Sequence, residues 1–177
     1  GPSFSEQESI EELKEFKPLY QKLNENKLYK LIASEIDKGN VVGWFQGRAE
    51  FGPRALGNRS ILGDPRNPEM QKTMNLKIKF RESFRPFAPI ILEEKASEWF
   101  DLNIKSKHMS IVANVRKTKL RKLNNSEISV KGLKKQKIKR SIIPAVTHVD
   151  SSARVQTVSK RDNPIMHTLI NEFYKKT

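Results

Sequence analysis

The chain has 177 residues, with 34 Lys and Arg against 20 Asp and Glu and a formal charge of +14. That length suits one domain, which buries roughly 70% of its unfolded surface around a single core. A mean hydropathy of −0.65, the lack of any run near the ~20 apolar residues of a membrane span, and the lack of cysteine exclude a spanning helix, a disulfide framework and thiolate chemistry. No signal-peptide apolar core opens the chain, and the expected location is cytoplasmic.

In chain order, residues 1–24 read as an inter-domain linker that carries a first helix. Ile10, Leu13, Phe16 and Leu19 recur at helical spacing, and Pro18 ends the helix near Lys17. A second helix carries Leu28, Leu31, Ile32 and Ile36 on one face and stops at Gly39. Val41–Phe45 is a short buried strand. It feeds GRAEFGPRALGNRSILGDPR at 47–66, where Arg48, Arg54, Arg59 and Arg66 sit among glycines without helical or strand period. Arg66, in GDPRNP, reads as an exposed turn residue. Asn67-Pro68 caps a helix that runs to Met74 or Lys77.

Residues 75–92 read NLKIKFRESFRPFAPIIL. Alternation over Ile78–Arg81 predicts an extended chain with cations on one side. Pro86 and Pro89 bias Arg85 and Ala88 toward extended backbone. Ala88–Leu92 predicts a strand, Glu93–Phe100 a short helix, Met109–Val115 a strand, and Val155–Val158 another. Asn163-Pro164 opens a last helix with Ile165, Leu169, Ile170 and Phe173 inward. Strands interleaved with helices predict an α/β fold of the α+β type. Trp44 and Trp99 read as core or domain-interface aromatics.

The charge is unevenly spread. Between Arg116 and Arg140 eleven Lys and Arg face one acid, Glu127, so the rest of the chain carries only about +4. This lysine-dominated segment reads as a mobile loop or extended hairpin on the surface. Its lysines suit a phosphate backbone, but it holds no aromatic to stack on bases.

Glycine lets a backbone turn sharply and approach a ligand, and the arginine fork matches phosphate and carboxylate oxygens two at a time. The 47–66 stretch therefore predicts a pocket for a phosphorylated small molecule. There is no P-loop and no G-x-G-x-x-G, and with no Cys and no paired His a transition-metal site is not expected; His108 and His167 have no partner motif.

GWFQGRAEFGPRALGNRSILGDPRNPEMQ, KFRESFRPFAP and PAVTHVDSSARVQTV, in this order, resemble the carboxy-terminal domain of the NodU/CmcH-type carbamoyltransferases. The resemblance covers about three quarters of the chain and leaves 116–140 as a basic insertion. It implies a YrdC-like twisted mixed sheet with flanking helices over 25–177. It also implies binding of ATP, with Mg2+, and of carbamoyl phosphate, to form carbamoyl-adenylate. An amino-terminal domain outside this chain would transfer the carbamoyl group to an acceptor hydroxyl of a small molecule, as in secondary-metabolite biosynthesis. By the matching motifs, Arg54, Arg85 and Arg154 are the expected contacts to phosphate and carbamoyl groups.

Further candidates are graded by their neighbours in sequence. Arg59 and Ser60 are phosphate donors, or Arg59 pins its loop to an acid such as Asp64. Lys79 and Arg81 are nucleotide contacts or surface ion-pair partners. Ser151 joins the nucleotide set, and His148 and Asp150 either orient a ligand or proton or are structural. Two departures stand out: Ser151-Ser152 replaces the family's glycine-threonine, and the family's further strand after the last helix lies past Thr177. A basic RNA-binding module and a catalytically silent interaction domain are the competing readings.

Overall fold

The computed structural model describes all 177 residues. Helix α1 (Glu6–Phe16) starts at a reciprocal Ser5–Glu8 capping box and ends at Lys17 in a left-handed cap (φ 44°), one residue before Pro18. None of its residues is buried, and Leu19 lies beyond it, fully exposed. Helix α2 (Glu25–Asp37), capped by Asn24, buries Tyr29, Ala33 and Ile36. Leu31 faces solvent, so the inward stripe is rotated from the expected one.

The stretch expected to be one long loop contains a strand. Strand β1 (Val42–Phe45) pairs antiparallel with β2 (Arg59–Leu62), Trp44 opposite Ser60, which leaves residues 46–58 as the hairpin loop. Its glycines hid the strand, which has no alternating burial to betray it: all four residues are half-buried. Helix α3 (Met70–Thr73) runs on through a π-helical turn, Met74–Ile78. Ile78 is therefore helical, not extended, and the predicted cation-bearing strand over Ile78–Arg81 does not form. The buried Met70, Met74 and Asn75 fix the helical solution. Phe80 follows in the left-handed region, at φ 48°.

The second sheet is mixed. Strand β5 (Ser152–Val158) lies between β3 (Ile90–Leu92), parallel to it, and β4 (Ile111–Asn114), antiparallel. Helix α4 (Ala96–Trp99) follows β3. Helix α6 (Pro164–Lys176), capped by Asn163 with Pro164 in its first turn, buries Met166 and Leu169 while Ile165 turns outward. With six helices and two small sheets, the fold is the expected α+β type. One core cluster packs Ala153 and Val155 of β5 against Phe100, Leu102, Val115 and Ile143. A second joins Tyr29 and Trp44 to Leu92, Val158, Met166 and Leu169. Trp44 is thus a core residue. Trp99, half-buried, carries the Lys119 ammonium 4.3 Å from its ring centre.

Of the two forms expected for the basic segment, its ends take the hairpin-like one. Leu120 bridges Ser141, and the Arg121 guanidinium donates to the Lys139 carbonyl at 2.8 Å. Between these ends sits a short helix, α5 (Asn125–Ser129), with its own Asn124–Glu127 capping box. Arg140 and Ser141 are buried, so the surface excursion ends before Arg140.

Arg66 also departs from expectation. Its guanidinium grips both oxygens of the buried Asp64 (2.6 and 3.0 Å) and reaches Asp37 of α2 at 2.6 Å. It also stacks 5.4 Å from the Phe173 ring centre of α6. One planar cation thus ties the β2–α3 turn to two helices. Arg66→Lys, which keeps charge but loses the fork, should lower stability by about 1–2 kcal/mol, since it leaves part of a buried carboxylate unpaired. Urea denaturation at neutral pH measures this; an unchanged midpoint would show the fork to be dispensable.

The turn into β5 holds Ser151 at φ 68°, where a residue with a Cβ is strained by roughly 1–2 kcal/mol. Its amide donates to the His148 carbonyl (3.0 Å), and its carbonyl accepts from the Val115 amide (2.9 Å), so the conformation is enforced. Ser151→Gly should raise stability by about 1 kcal/mol by relieving that strain. A lower urea midpoint would mean that the side chain stabilises the turn.

Candidate functional site

Strand alternation sorts β5 into two faces. Ala153 and Val155 point into the core; Ser152, Arg154 and Gln156 take the other side. There Gln156 donates from Nε2 to the Leu56 carbonyl at 2.7 Å and holds the hairpin loop against the sheet. The loop's own organiser is Glu50. Its Oε1 accepts the amides of Leu56 (2.7 Å), Asn58 (2.8 Å) and Arg59 (3.4 Å). Burial pushes the Glu50 carboxyl up, but the backbone donors outweigh it and hold it below its ordinary value. Gly57, at φ 112°, brings backbone so close to α6 that a Cβ would sit 3.3 Å from Met166. The Gln46 amide completes the clamp, donating to Asn58 (3.0 Å) and to the α6 cap residue Asn163 (2.8 Å). Anchored at 56–58, the loop leaves Phe51–Ala55 exposed.

Arg54 is in that exposed stretch, with neither an acid nor a carbonyl on its guanidinium. Arg154 is half-buried, and its Nε is fully enclosed without a hydrogen-bond partner. Burial, then the nearby positive charge of Arg54, push the Arg154 guanidinium below its ordinary value. The two like charges are close enough to oppose each other.

Beside Arg154, one serine hydroxyl fixes a histidine. Ser152 Oγ lies 2.6 Å from Asp150 Oδ1 and 3.0 Å from His148 Nδ1. A carboxylate only accepts, so the single hydroxyl proton goes to Asp150 and Ser152 must accept from Nδ1–H. That leaves Nε2 as the acceptor nitrogen of a neutral imidazole. Burial, reinforced by Arg154 and opposed by Asp150, holds the His148 pKa below its ordinary value. The hydroxyl and amide of Ser152 hold Asp150 below its own.

Asn75, fully buried, organises the other arginine-rich segment. Its side-chain amide donates to the carbonyls of Ser83 (3.1 Å) and Arg85 (2.8 Å), and its Oδ1 accepts from Arg81 Nε at 2.6 Å. Gln71 adds a second donor to the Arg85 carbonyl. The backbone of Arg85 is therefore fixed while its side chain is exposed and paired with Glu82 at 2.9 Å. Lys79 is exposed, on the residue that closes the π turn.

Several candidates make internal bonds that shape the loops. Arg59 donates to the carbonyls of Gln46 (2.7 Å), Asn58 (3.0 Å) and Gly47 (3.0 Å) and lies 3.4 Å from the Phe45 ring centre. It pins the loop, through carbonyls and not through Asp64, which belongs to Arg66. Ser60 Oγ accepts the Gly57 amide at 2.9 Å and closes the same loop. Arg81 is committed to Asn75 and to the Phe87 ring, 5.0 Å away. Ser151 shapes the turn through its backbone. Arg54, Arg154, His148, Asp150 and Ser152 form one neighbourhood; no hydrogen bond or ion pair joins Lys79 or Arg85 to it.

A mostly apolar cleft of about 150 Å3 lies among Met70, Met74, Phe87 and Met166 and includes none of the candidate arginines. No three His, Cys, Asp or Glu side chains converge as a metal-ligand set. Glu50, Asn75 and Gln156 are the organisers that sequence reasoning passed over. A lone acid in a basic loop and a polar residue inside the apolar VQTV strand were the available signals for Glu50 and Gln156; nothing marked Asn75.

Comparison with known proteins places the chain in a family. The chain is 49% identical over 98% of its length to an uncharacterized protein of Synechocystis, covering 28% of that protein. It is 46% identical over 78% of its length to the nodulation protein NolO of Bradyrhizobium diazoefficiens, covering 22% of it. The 3'-hydroxymethylcephem-O-carbamoyltransferase of Streptomyces clavuligerus shares 36% identity over 80% of this chain and 23% of its own length. The chain thus spans about a quarter of the curated relatives it matches. Residues 33–177, from inside α2 to the last residue of the chain, match the family described as Carbamoyltransferase C-terminus, and the chain belongs to that family.

Proposed function

We propose that this domain binds ATP, carried with Mg2+, and carbamoyl phosphate at the Arg54–Arg154 face, and forms carbamoyl-adenylate for a hydroxyl acceptor. The observation that carries the reading is Arg154: a guanidinium with an enclosed, unpartnered Nε and a second arginine as neighbour. An anion supplies the partner both cations lack. Water cleaves carbamoyl phosphate to carbamate and inorganic phosphate; a carbamate oxygen then attacks the α-phosphorus of ATP, and pyrophosphate leaves. Negative charge on the pentavalent phosphorus then falls against guanidinium groups, which stabilise it electrostatically. Arg85, on its Asn75-fixed backbone, supplies a third fork once it leaves Glu82; Lys79 contributes a point charge to the phosphate chain. His148 Nε2 accepts a hydrogen bond from the carbamoyl amide, with Asp150 and Ser152 keeping its tautomer. An amino-terminal domain of the longer parent protein would hold the acceptor, as the cephem relative's name suggests for a small-molecule hydroxyl.

Arg54→Lys in the full-length parent should slow ATP–pyrophosphate exchange about ten- to a hundredfold, because losing one charge-assisted hydrogen bond costs about 1.5–3 kcal/mol. Its melting temperature should stay within a degree or two, since Arg54 makes no internal bond. Wild-type exchange would remove Arg54 from the catalytic set.

His148 carries a pH signature. Its pKa is lowered on folding, so the unfolded chain binds more protons near the ordinary value of about 6.5, and stability falls as pH drops through that value. The Asp150 contribution is lost separately, in the carboxylate range near pH 4. Urea midpoints between pH 8 and 5.5 should therefore decline in wild type and flatten in His148→Gln. Equal slopes in the two proteins would show that His148 is not depressed.

A further inference from the structure

We propose that the groove between residues 133–140 and the α3 turn is a second anion site, taking a linear oligophosphate chain with Arg140 as its buried counter-charge. The groove encloses about 620 Å3 and is bounded by Lys72 and Phe84 on one side and Lys137 and Lys139 on the other, with Arg140 among its lining residues. That volume falls in the roughly 300–1,000 Å3 range of small-molecule sites and exceeds what one phosphate fills. None of Arg54, Lys79, Arg85 or Arg154 lines it, so it is separate from the face described above.

Arg140 is the distinctive element. It is only 8% exposed, yet its guanidinium makes a single hydrogen bond, from Nη1 to the Ile138 carbonyl at 2.9 Å, and no carboxylate pairs with it. An arginine has five donors, and buried charges are ordinarily paired. Burial alone pushes its guanidinium below the ordinary value, with no acid to oppose it. The one acid on the groove is Glu69, exposed at its rim, against four cations. Gln71, Gln136, Ser83 and Thr147 add neutral hydrogen-bonding groups along its length. Cations spaced on both walls around a buried arginine match a row of phosphates better than a single one.

The test is isothermal titration of this chain with inorganic tripolyphosphate, with orthophosphate and a short RNA oligonucleotide as parallel arms. Tripolyphosphate should bind saturably at one site in an Arg54→Ala/Arg154→Ala background, at least tenfold more tightly than orthophosphate. Arg140→Met should weaken it tenfold or more. Because Arg140 is buried, Lys137→Gln/Lys139→Gln serves as the surface variant and should weaken binding severalfold. A control of equal charge loss outside the groove, Lys117→Gln/Lys122→Gln, should leave binding within twofold. The proposal is overturned if tripolyphosphate binding disappears with Arg54 and Arg154, or if the control weakens it as much as the groove variant does. RNA binding without measurable tripolyphosphate binding would equally reject it.

Discussion

Strand β5 has to serve two masters at a spacing of one residue. Ala153 and Val155 are fully buried in the core, and the alternation that puts them there forces Arg154 to the opposite side, across from Val112 of β4. The strand register fixes which face carries the arginine, and a one-residue slip would turn the core outward. A cation is thereby held half-buried with an unsatisfied Nε. Desolvation without a counter-ion is unfavourable, so the apolar packing on the far face is what maintains an electrostatic arrangement that the near face alone would relax.

The basic residues of this domain divide by what their donors already do. Arg59, Arg66 and Arg81 spend their forks on carbonyls, carboxylates and a buried amide, and in doing so shape the two segments that carry the others. Arg54 is presented by a loop whose ends are clamped by Glu50 and Gln156, and Arg85 by a backbone clamped by Asn75. Internally bonded arginines and the arginines of the proposed site stand a few positions apart. That is why the arginine-rich motifs were legible in the sequence as a unit, whereas the assignment of each arginine was not. Arg59 and Arg54 both stand in GPRALGNR; only the position of the Gln46 and Gly47 carbonyls, set by the β1–β2 register, tells them apart. Arg66 looked expendable because the two acids it joins are separated from each other by 27 positions in the chain, Asp37 and Asp64.

Fold elements were readable where local rules and burial agree. Helices α2 and α6 have polar caps and apolar stripes, and their bounds followed closely, although Leu31 and Ile165 shift each stripe by about a position. Strands β1, β3 and β4 are short apolar runs between breakers. The failures are places where tertiary packing overrides pattern. Ile78 alternates with lysines but is drawn into a π turn by Met74 and Asn75 beneath it. The strand over Arg59–Leu62 sits among glycines that suggested only turns. The basic segment read as a mobile loop or an extended hairpin; its ends pair as a hairpin does, and only the short helix in its middle was not foreseen.

The free cations and the histidine are not independent. His148 is kept neutral by burial and by the field of Arg154, while Asp150 pulls the other way. An anion that neutralises Arg154 removes one of the two influences holding the imidazole down and leaves Asp150 unopposed by it. Anion and proton therefore favour each other at this face, as linkage requires of any two ligands whose charges attract. Ser152 keeps that coupling directional: its hydroxyl fixes Nδ1 as the protonated nitrogen, so the gained proton can go only to Nε2. Changing Ser152 would loosen the tautomer even though Ser152 itself carries no charge. The field of Arg154 and the hydrogen bond of Ser152 thus act on the two nitrogens of one ring, which is why neither residue can be understood from its own contacts alone.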